Sequence, residues 1–214
     1  NKKVFINKKT DASNLDGVSL TGIEGAITNN GIFNHLQDTL TNNGLITNAI
    51  GTAYINISST LNNSTTSVIT NNGIFKIFKN INVTNSGNSI VNNNKDLYNY
   101  GNIICRTLNN NTGCNFYNYN SLILNNTFTN TGIFTNKQLN ASNSDSIDLS
   151  GIRGQVTLNF SSSSSGTINN DGLLHLNQPF TFTGTTLNDE NGTIDNYSTI
   201  TNNSPGIITN KHDI

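Results

Sequence analysis

The feature that most constrains this chain is a repeat of about 20 residues built around Asn-Gly and Asp-Gly pairs. Copies read TNNGIF at 28–33 and 70–75, TNTGIF at 129–134 and INNDGLL at 168–174. One series of glycines advances in steps of 19 to 22 residues, with one doubled step, and consists of Gly31, Gly51, Gly73, Gly113, Gly132, Gly151, Gly172 and Gly192. Because Asn-Gly and Asp-Gly favour positive φ, the repeat predicts a chain that turns a corner at fixed intervals.

Between the corners, short runs of alternating apolar and polar residues predict half-buried strands, as at 54–57, 75–78 and 180–183. Asn accounts for 45 of the 214 residues and disfavours helix, while only two Pro interrupt the strands. The sequence therefore predicts an all-β fold, a right-handed parallel β-helix (β-solenoid) of nine to ten coils with about 20 residues per coil. This domain is expected over 26–214, and residues 1–25, which lack the repeat, are interpreted as an N-terminal cap or connecting segment.

Two alternative folds are weaker. An Asn-rich disordered segment does not explain the regular spacing of Ile and Phe, and a β-sandwich with Asn-Gly hairpins does not require a constant closing period. In the solenoid, Asn side chains at equivalent corners are expected to stack into hydrogen-bonded ladders.

Finer expectations follow from the glycine register. Ile32, Ile74, Ile133 and Leu173 each follow a glycine of the series and are predicted to stack in one interior column. Residues 93–125, where a secondary corner comes early, are interpreted as a bulge or short protruding loop.

Composition excludes several classes of function. Only 23 of 214 residues are charged and the net charge is −1, so no nucleic-acid partner is expected. No segment approaches the roughly 18 consecutive apolar residues of a membrane-spanning helix. Because the sequence starts with Asn and contains no Met, we expect a processed chain or an excised ectodomain.

The two cysteines, Cys105 and Cys114, are too few for a disulfide scaffold and match no zinc motif. In an extracytoplasmic protein they are candidates for a disulfide with each other, and otherwise for two small buried apolar side chains. No metal and no cofactor is expected.

Two groups of residues are candidates for a site. The best titratable cluster could supply the paired carboxylates of a glycoside hydrolase, although turn-forming Asp on solvated corners is the preferred interpretation; it consists of Asp145, Asp148, Arg153, Asp171 and His175. Four tyrosines, assigned to one irregular coil, are candidates for a platform that stacks on a carbohydrate ring, although ordinary strand packing is preferred; they are Tyr98, Tyr100, Tyr117 and Tyr119.

The Asn-x-Gly-x-Ile repeat, as at 30–32 and 130–133, resembles the repeats of filamentous-haemagglutinin-type surface adhesins and of Asn-rich β-helical proteins of large DNA viruses and phage fibres. The resemblance covers about 26–210 and implies an extracellular, cell-surface or virion-surface rod for attachment or structure. It transfers no functional residue.

Parallel β-helices also resemble pectin-lyase-like polysaccharide lyases and hydrolases, but the Asp-Asp, His-Gly and Arg-x-x-Pro-x-x-Arg signatures are absent here. The expected function is therefore a non-catalytic structural or adhesive surface protein, with a polysaccharide-acting lyase or glycoside hydrolase as the alternative. Carbohydrate is a candidate ligand.

The C-terminal segment 211–214 is too short to cover a coil of twenty residues. We expect another copy, another subunit or a further part of the parent chain to complete that coil. Residues 1–25 are the expected connector of a homo-oligomer or filament.

One further pattern, Thr181-Phe-Thr183-Gly-Thr185, is similar to the Thr ladders of ice-binding solenoids. The residues about one coil away from this pattern, 161–165 and Thr201, do not continue a flat Thr-x-Thr face. On that reasoning the sequence argues against ice binding.

Overall fold

The computed structural model describes residues 5–7, 26–29, 31–35, 40–42, 44–50, 54–57, 60–63, 67–85 and 90–211. These form 27 strands, which pair only in parallel and in steps of three along the chain. Each coil thus contributes one strand to each of three nine-stranded sheets, which we name sheets 1, 2 and 3.

The strands are numbered in chain order and distributed as follows. Sheet 1 contains β1 (Phe5–Asn7), β4 (Leu40–Asn42), β7 (Leu61–Asn63), β10 (Asn82–Asn85), β13 (Asn102–Cys105), β16 (Ser121–Leu124), β19 (Gln155–Leu158), β22 (Leu173–Leu176) and β25 (Thr193–Asn196). Sheet 2 contains β2 (Ala26–Asn29), β5 (Leu45–Asn48), β8 (Val68–Asn71), β11 (Ile90–Asn93), β14 (Thr107–Asn110), β17 (Phe128–Asn130), β20 (Ser162–Ser164), β23 (Phe180–Phe182) and β26 (Ile200–Asn202). Sheet 3 contains β3 (Ile32–His35), β6 (Tyr54–Ile57), β9 (Ile74–Ile77), β12 (Asp96–Asn99), β15 (Asn115–Asn118), β18 (Ile133–Asn136), β21 (Thr167–Asn170), β24 (Thr185–Asn188) and β27 (Ile207–Asn210).

This topology confirms the predicted parallel β-solenoid, with about eight turns of about 20 residues between the first and last layers. At about 4.8 Å per step, eight steps span about 40 Å. Strand β1 lies within 1–25 and pairs with β4, so this part of the expected cap is the first strand of sheet 1. The rest of 1–25 lies outside the described residues. Within the described ranges, no helix is long and apolar enough to cross a membrane.

The core lies inside the coils, where alternate residues of every sheet point inward. Most described strands show alternating half-buried and buried residues, as in β9, β15 and β22. Inward Leu97, Leu108, Phe116 and Leu122 are completely buried. Burying a side chain of this size contributes about 1.5–3 kcal/mol, so each added coil stabilises the stack.

The predicted interior column is wrong by one residue. Ile32 and Ile133 are 69% and 43% exposed, and Ile74 and Leu173 are half-buried. Leu173 also belongs to sheet 1, whereas the other three belong to sheet 3. In β9, β18 and β22 the first residue points outward and the next points inward, so the buried residues are Phe75, Phe134 and Leu174.

Buried asparagines form two ladders along the corners. The first ladder follows the ends of the sheet 2 strands and runs through Asn29, Asn48, Asn71, Asn93, Asn110 and Asn130 to Ser164. The second follows the ends of the sheet 3 strands and runs through Asn99, Asn118, Asn136, Asn170, Asn188 and Asn210. Each Nδ2 donates to the next side chain at 2.7–3.0 Å, and in most rungs also to a main-chain carbonyl.

The irregular part of the solenoid is not 93–125, which forms regular coils, but residues 137–154 between β18 and β19. Elsewhere two to four residues connect sheet 3 to sheet 1, with two between β12 and β13 and four between β9 and β10. We call 137–154 the insertion loop. Gly151 lies in this loop with φ of 73°, so its place in the glycine series was coincidental. Gly166 occupies the same corner as Gly132, one coil later. A Cβ at Gly166 would collide with the carbonyl oxygen of Gly132.

We expect Asn110→Ala to destabilise the solenoid by about 3 kcal/mol, because it removes the buried hydrogen bonds of Asn110 with Asn93, Asn130 and the Ile133 carbonyl oxygen. Asn109→Ala is the matched control, since Asn109 is half-buried on the outer face and bonds only to Asn92. Urea unfolding followed by circular dichroism measures both. Equal losses for the two variants would show that the ladder has no special role.

Candidate functional site

The four candidate tyrosines lie side by side in two successive coils, not in one. Tyr98 of β12 is in register with Tyr117 of β15, and their ring centroids are 5.0 Å apart. Tyr100 and Tyr119 follow the same two strands at the corner, with centroids 4.7 Å apart. This arrangement places a patch of aromatic surface where sheet 3 ends.

The insertion loop covers half of that patch. Ala141 and Leu149 of the loop are buried against Tyr100 and Tyr119, which are 0% and 6% exposed. Ile147 and Ile152 pack on the same cluster. The covered pair therefore has no ring face open to a sugar, while Tyr98 and Tyr117 remain half-buried. Carbohydrate stacking stays a prediction for these two alone.

Asp145 ties the loop to the solenoid. Its Oδ1 forms an ion pair with Lys76 of β9, and its Oδ2 accepts a hydrogen bond of 2.7 Å from the Tyr100 hydroxyl. Inside the loop, Asn143 Oδ1 accepts the main-chain N–H groups of Asp145 and Ile147, both at 3.1 Å. Lys79 adds a bond of 2.7 Å to the carbonyl oxygen of Asp148. We call the Lys76–Asp145–Tyr100 contacts the latch.

Burial shapes the chemistry of this patch. It raises the pKa of Tyr98 from 10.0 to about 12, with a smaller contribution from the charge of Asp96. It also raises the pKa of Tyr100, which the hydrogen bond to Asp145 raises further. These hydroxyls are therefore neutral hydrogen-bond donors at ordinary pH and not bases.

The structure separates the candidate catalytic residues into different places. Asp145 is in the latch, whereas the Asp148 side chain is 77% exposed and accepts bonds from Ser150, which lower its pKa. Arg153 donates to the carbonyl oxygens of Gly172 and Asn191 and to Thr193 Oγ1, so it fastens the loop's end to the next coils. His175 lies on the outer face of β22, with Nδ1 3.1 Å from Asp195.

Asp171 lies in a groove that the sequence did not predict. The groove runs between the loop base and the corners of the following coils, and a cavity of about 230 Å³ there is lined by Lys137, Gln138, Ala141, Ser142, Asp171, Asp189, Glu190 and Asn191. A neighbouring cavity of about 340 Å³ shares Gln138, Glu190 and Asn191 and reaches Arg153. The Asp171–Asp189 spacing of 18 residues, close to one coil, was the signal for this groove.

The two aspartates of this groove have opposite pKa shifts. Burial raises the pKa of Asp171, and the carboxylate of Asp189 raises it further. The main-chain N–H of Glu190 and the ammonium of Lys211 lower the pKa of Asp189, and Lys211 Nζ lies 3.2 Å from its Oδ1. The surroundings therefore disfavour the charged form of Asp171 and favour the charged form of Asp189.

Both cysteines are free thiols in the structure, so the candidate disulfide is not formed. Cys105 points into the core at the end of β13, and burial raises its pKa. Cys114 lies in the turn before β15, where its Sγ is 3.5 Å from the Thr112 carbonyl oxygen. Across the part of the chain that the structure describes, no three His, Cys, Asp or Glu side chains are arranged to hold a metal ion.

Comparison of the chain with protein-family models, with curated proteins and with solved structures finds no match.

We expect Asp145→Asn to loosen the insertion loop, because the latch loses its charge-assisted bonds, worth about 1–2 kcal/mol. Hydrogen exchange of amides in 138–153 should accelerate about tenfold, which corresponds to about 1.4 kcal/mol. Asp148→Asn is the control, since that carboxylate is mostly exposed. Unchanged exchange in Asp145→Asn would contradict the role of the latch.

Proposed function

We propose that this protein is a non-catalytic structural or adhesive rod, at the surface of a cell or virion, that joins end to end with a second copy or another structural subunit. The observation that carries the proposal is the exposed state of the last coil. Strands β25, β26 and β27 each pair with one neighbour, and nearly all residues of β26 and β27 are exposed.

The last coil presents apolar side chains at positions that are buried elsewhere. Ile208 is in register with the buried Thr186, yet it is 38% exposed. Ile200 occupies the position of the buried Phe180 and is 37% exposed. Within the described residues nothing covers them. The last coil therefore presents three parallel strand edges and apolar inward residues. The open end of another coil presents the same kind of surface, so the two can pair.

The first and last coils also carry matching polar residues. Asn196 follows Leu176 in the sheet 1 column, and Asn202 follows Phe182 in the sheet 2 column. The first coil has Asn7 and Asn29 at these two positions. Stacking a first coil on a last coil would therefore place asparagine against asparagine, which is the pairing that forms the internal ladders.

The surface location rests on different support. The repeat resembles those of surface adhesins and virion fibres, and the segments 39–75 and 107–136 contain no charged residue. A surface of Asn, Ser and Thr suits hydrogen bonding to carbohydrate or to identical rods better than electrostatic steering of a charged partner. No nucleic-acid partner is proposed.

We expect the purified chain to associate into rods in electron micrographs, with a mass that rises with concentration in light scattering. Ile208→Lys should weaken association at least tenfold, because a charge would be buried at the junction. Ile207→Lys is the matched control, since Ile207 precedes it and points outward. A strictly monomeric chain at high concentration, or equal effects of both variants, would contradict end-to-end joining.

A polysaccharide-acting enzyme is the second candidate, and the opposite pKa shifts of Asp171 and Asp189 favour it. In this reading Asp171 would donate a proton to the leaving oxygen and Asp189 would act as base or nucleophile. The ion pair of Asp189 with Lys211 argues against it, because the carboxylate that would act as base or nucleophile is already bound at 3.2 Å by an ammonium group.

For the structural function, we expect no release of reducing sugars and no unsaturated products from pectin, other uronates or neutral glycans. Release that Asp171→Asn abolishes and Asp195→Asn retains would establish the enzyme instead, since Asp195 lies outside the groove beside His175.

A further inference from the structure

The outer face of sheet 2 carries an unbroken column of small hydrogen-bonding side chains. One outward residue from each of the nine strands belongs to it, and the pairing places them in consecutive register. The column consists of Thr28, Thr47, Thr70, Asn92, Asn109, Thr129, Ser163, Thr181 and Thr201. We call this surface the sheet 2 face. Every member is half-buried or exposed.

In its C-terminal half the column is flanked by further hydroxyl groups, and together they form an interrupted array. Thr127, Thr129 and Thr131 of one layer are followed by Ser161, Ser163 and Ser165 of the next. The following layers contribute Thr181 and Thr183, then Thr199 and Thr201. In the central column the hydroxyl groups of Thr129, Ser163, Thr181 and Thr201 repeat at about 4.8 Å from strand to strand. The flanking residues lie just outside these strands, where Pro179 and Asn203 interrupt the rows and the hydroxyl groups of Thr131 and Thr183 donate to main-chain carbonyl oxygens.

The sheet 2 face differs chemically from the other two faces. Its nine strands contain no Asp, Glu, Lys, Arg or His, and their three Phe are all buried. The strands of sheet 1 include Asp195 and His175, and those of sheet 3 include Lys76 and Asp96. The insertion loop joins sheet 3 to sheet 1 and packs on the tyrosines of sheet 3, so it leaves the sheet 2 face open.

The array is also held rigidly. In seven of the nine strands the residue after the column member belongs to the first ladder, from Asn29 to Ser164. Buried hydrogen bonds from coil to coil therefore fix the backbone beneath the face. A surface fixed before binding loses little conformational entropy when it meets an equally ordered partner.

We propose that the sheet 2 face binds ice. A ligand for this face must be uncharged, extended and periodic, and must offer both donors and acceptors to hydroxyl groups. A water lattice meets all four conditions, and Thr provides a hydroxyl for the lattice and a methyl that limits competing water. A crystalline polysaccharide is the weaker match, because sugar rings dock on aromatic faces and the strands of this face expose no aromatic ring, the exposed Phe160 lying at the corner before β20.

The strand register corrects the sequence-based expectation against a Thr-x-Thr face. That expectation compares 161–165 and Thr201 with 181–185 as if all three belonged to equivalent runs. The register instead aligns Thr181 with Ser163 and Thr201 and puts Thr185 in sheet 3. Once the corner at Gly184 is recognised, the column continues through the whole solenoid.

The test uses the full chain, labelled with a fluorophore, and a single ice crystal grown slowly in its solution. We expect the labelled chain to enter the ice on defined planes and to inhibit recrystallisation at micromolar concentration. Thr129→Tyr, in the middle of the face, should reduce inhibition at least tenfold. Thr157→Tyr is the matched control, because Thr157 is the corresponding outward residue of sheet 1. Circular dichroism and melting establish that each variant is folded, and Thr181→Lys replaces Thr129→Tyr if the latter is not.

Several results would overturn the proposal. One is exclusion of the wild-type chain from ice, and another is an equal loss of activity in Thr157→Tyr. Binding to crystalline cellulose or chitin without binding to ice would assign the face to polysaccharide. Thr129→Tyr abolishing self-association, with no effect on ice, would assign it to a contact between copies.

Discussion

The structure depends on hydrogen bonds between buried asparagine amides. A buried amide that lacks a partner costs about 1–3 kcal/mol, so a corner residue such as Asn110 is tolerable only where the next coil supplies another amide in register. Each ladder member both donates and accepts, as Asn118 does between Asn99 and Asn136. The requirement acts along the whole rod, since displacing one coil would leave two amides unpaired. The ladders thus fix register more strictly than interchangeable Ile, Leu and Phe side chains can.

The corners show that an amide and an apolar side chain are alternatives for the same position. In sheet 3 the column contains the buried Ile57 and Ile77 and then changes to amides at Asn99. In sheet 1 it contains the buried Asn42 and has changed to apolar residues by Cys105 and Leu124. At the change in sheet 3, Asn99 follows Ile77 and has no amide before it, and its Oδ1 accepts the main-chain N–H of Gly101 instead. A change therefore requires a corner that supplies such a partner. This also explains Cys105, whose small buried thiol occupies a corner column and needs no catalytic or redox role.

The sequence determined the coil but not the identity of each corner. Asn-Gly pairs at 30–31 and 72–73 gave the period, the parallel strands and the expectation of amide ladders, because turn chemistry is local. The sequence did not show which corner each glycine occupies, because different corners have the same local sequence. Gly132 precedes a strand of sheet 3, whereas Gly172 precedes a strand of sheet 1. Both were assigned to one glycine series because Gly151 of the insertion loop lies between them at a spacing close to the repeat. The inward direction predicted for Ile32 was wrong for a related reason. Alternation divides the residues of a strand into two sets but does not show which set faces the core. For the candidate site, Asp145 and Tyr100 are 45 residues apart and meet only because the loop folds back over two coils.

The three faces of the solenoid are therefore free to differ, because the ladders and the core hold the coil without them. Sheet 3 carries the loop and its latch, which bury Tyr100 and Tyr119 and leave a groove beside Asp171 and Asp189. The strands of sheet 2 carry only uncharged side chains on their outside, a column of Thr, Ser and Asn beside the half-buried Leu45, Val68 and Ile90. These strands are also the ones that the first ladder connects. Selection for packing alone does not require an outward column to remain Thr, Ser or Asn over nine strands when the neighbouring sheets admit Lys, Asp, His and Ile. The uniformity of that column is therefore more readily explained by what lies outside the protein than by what lies inside it.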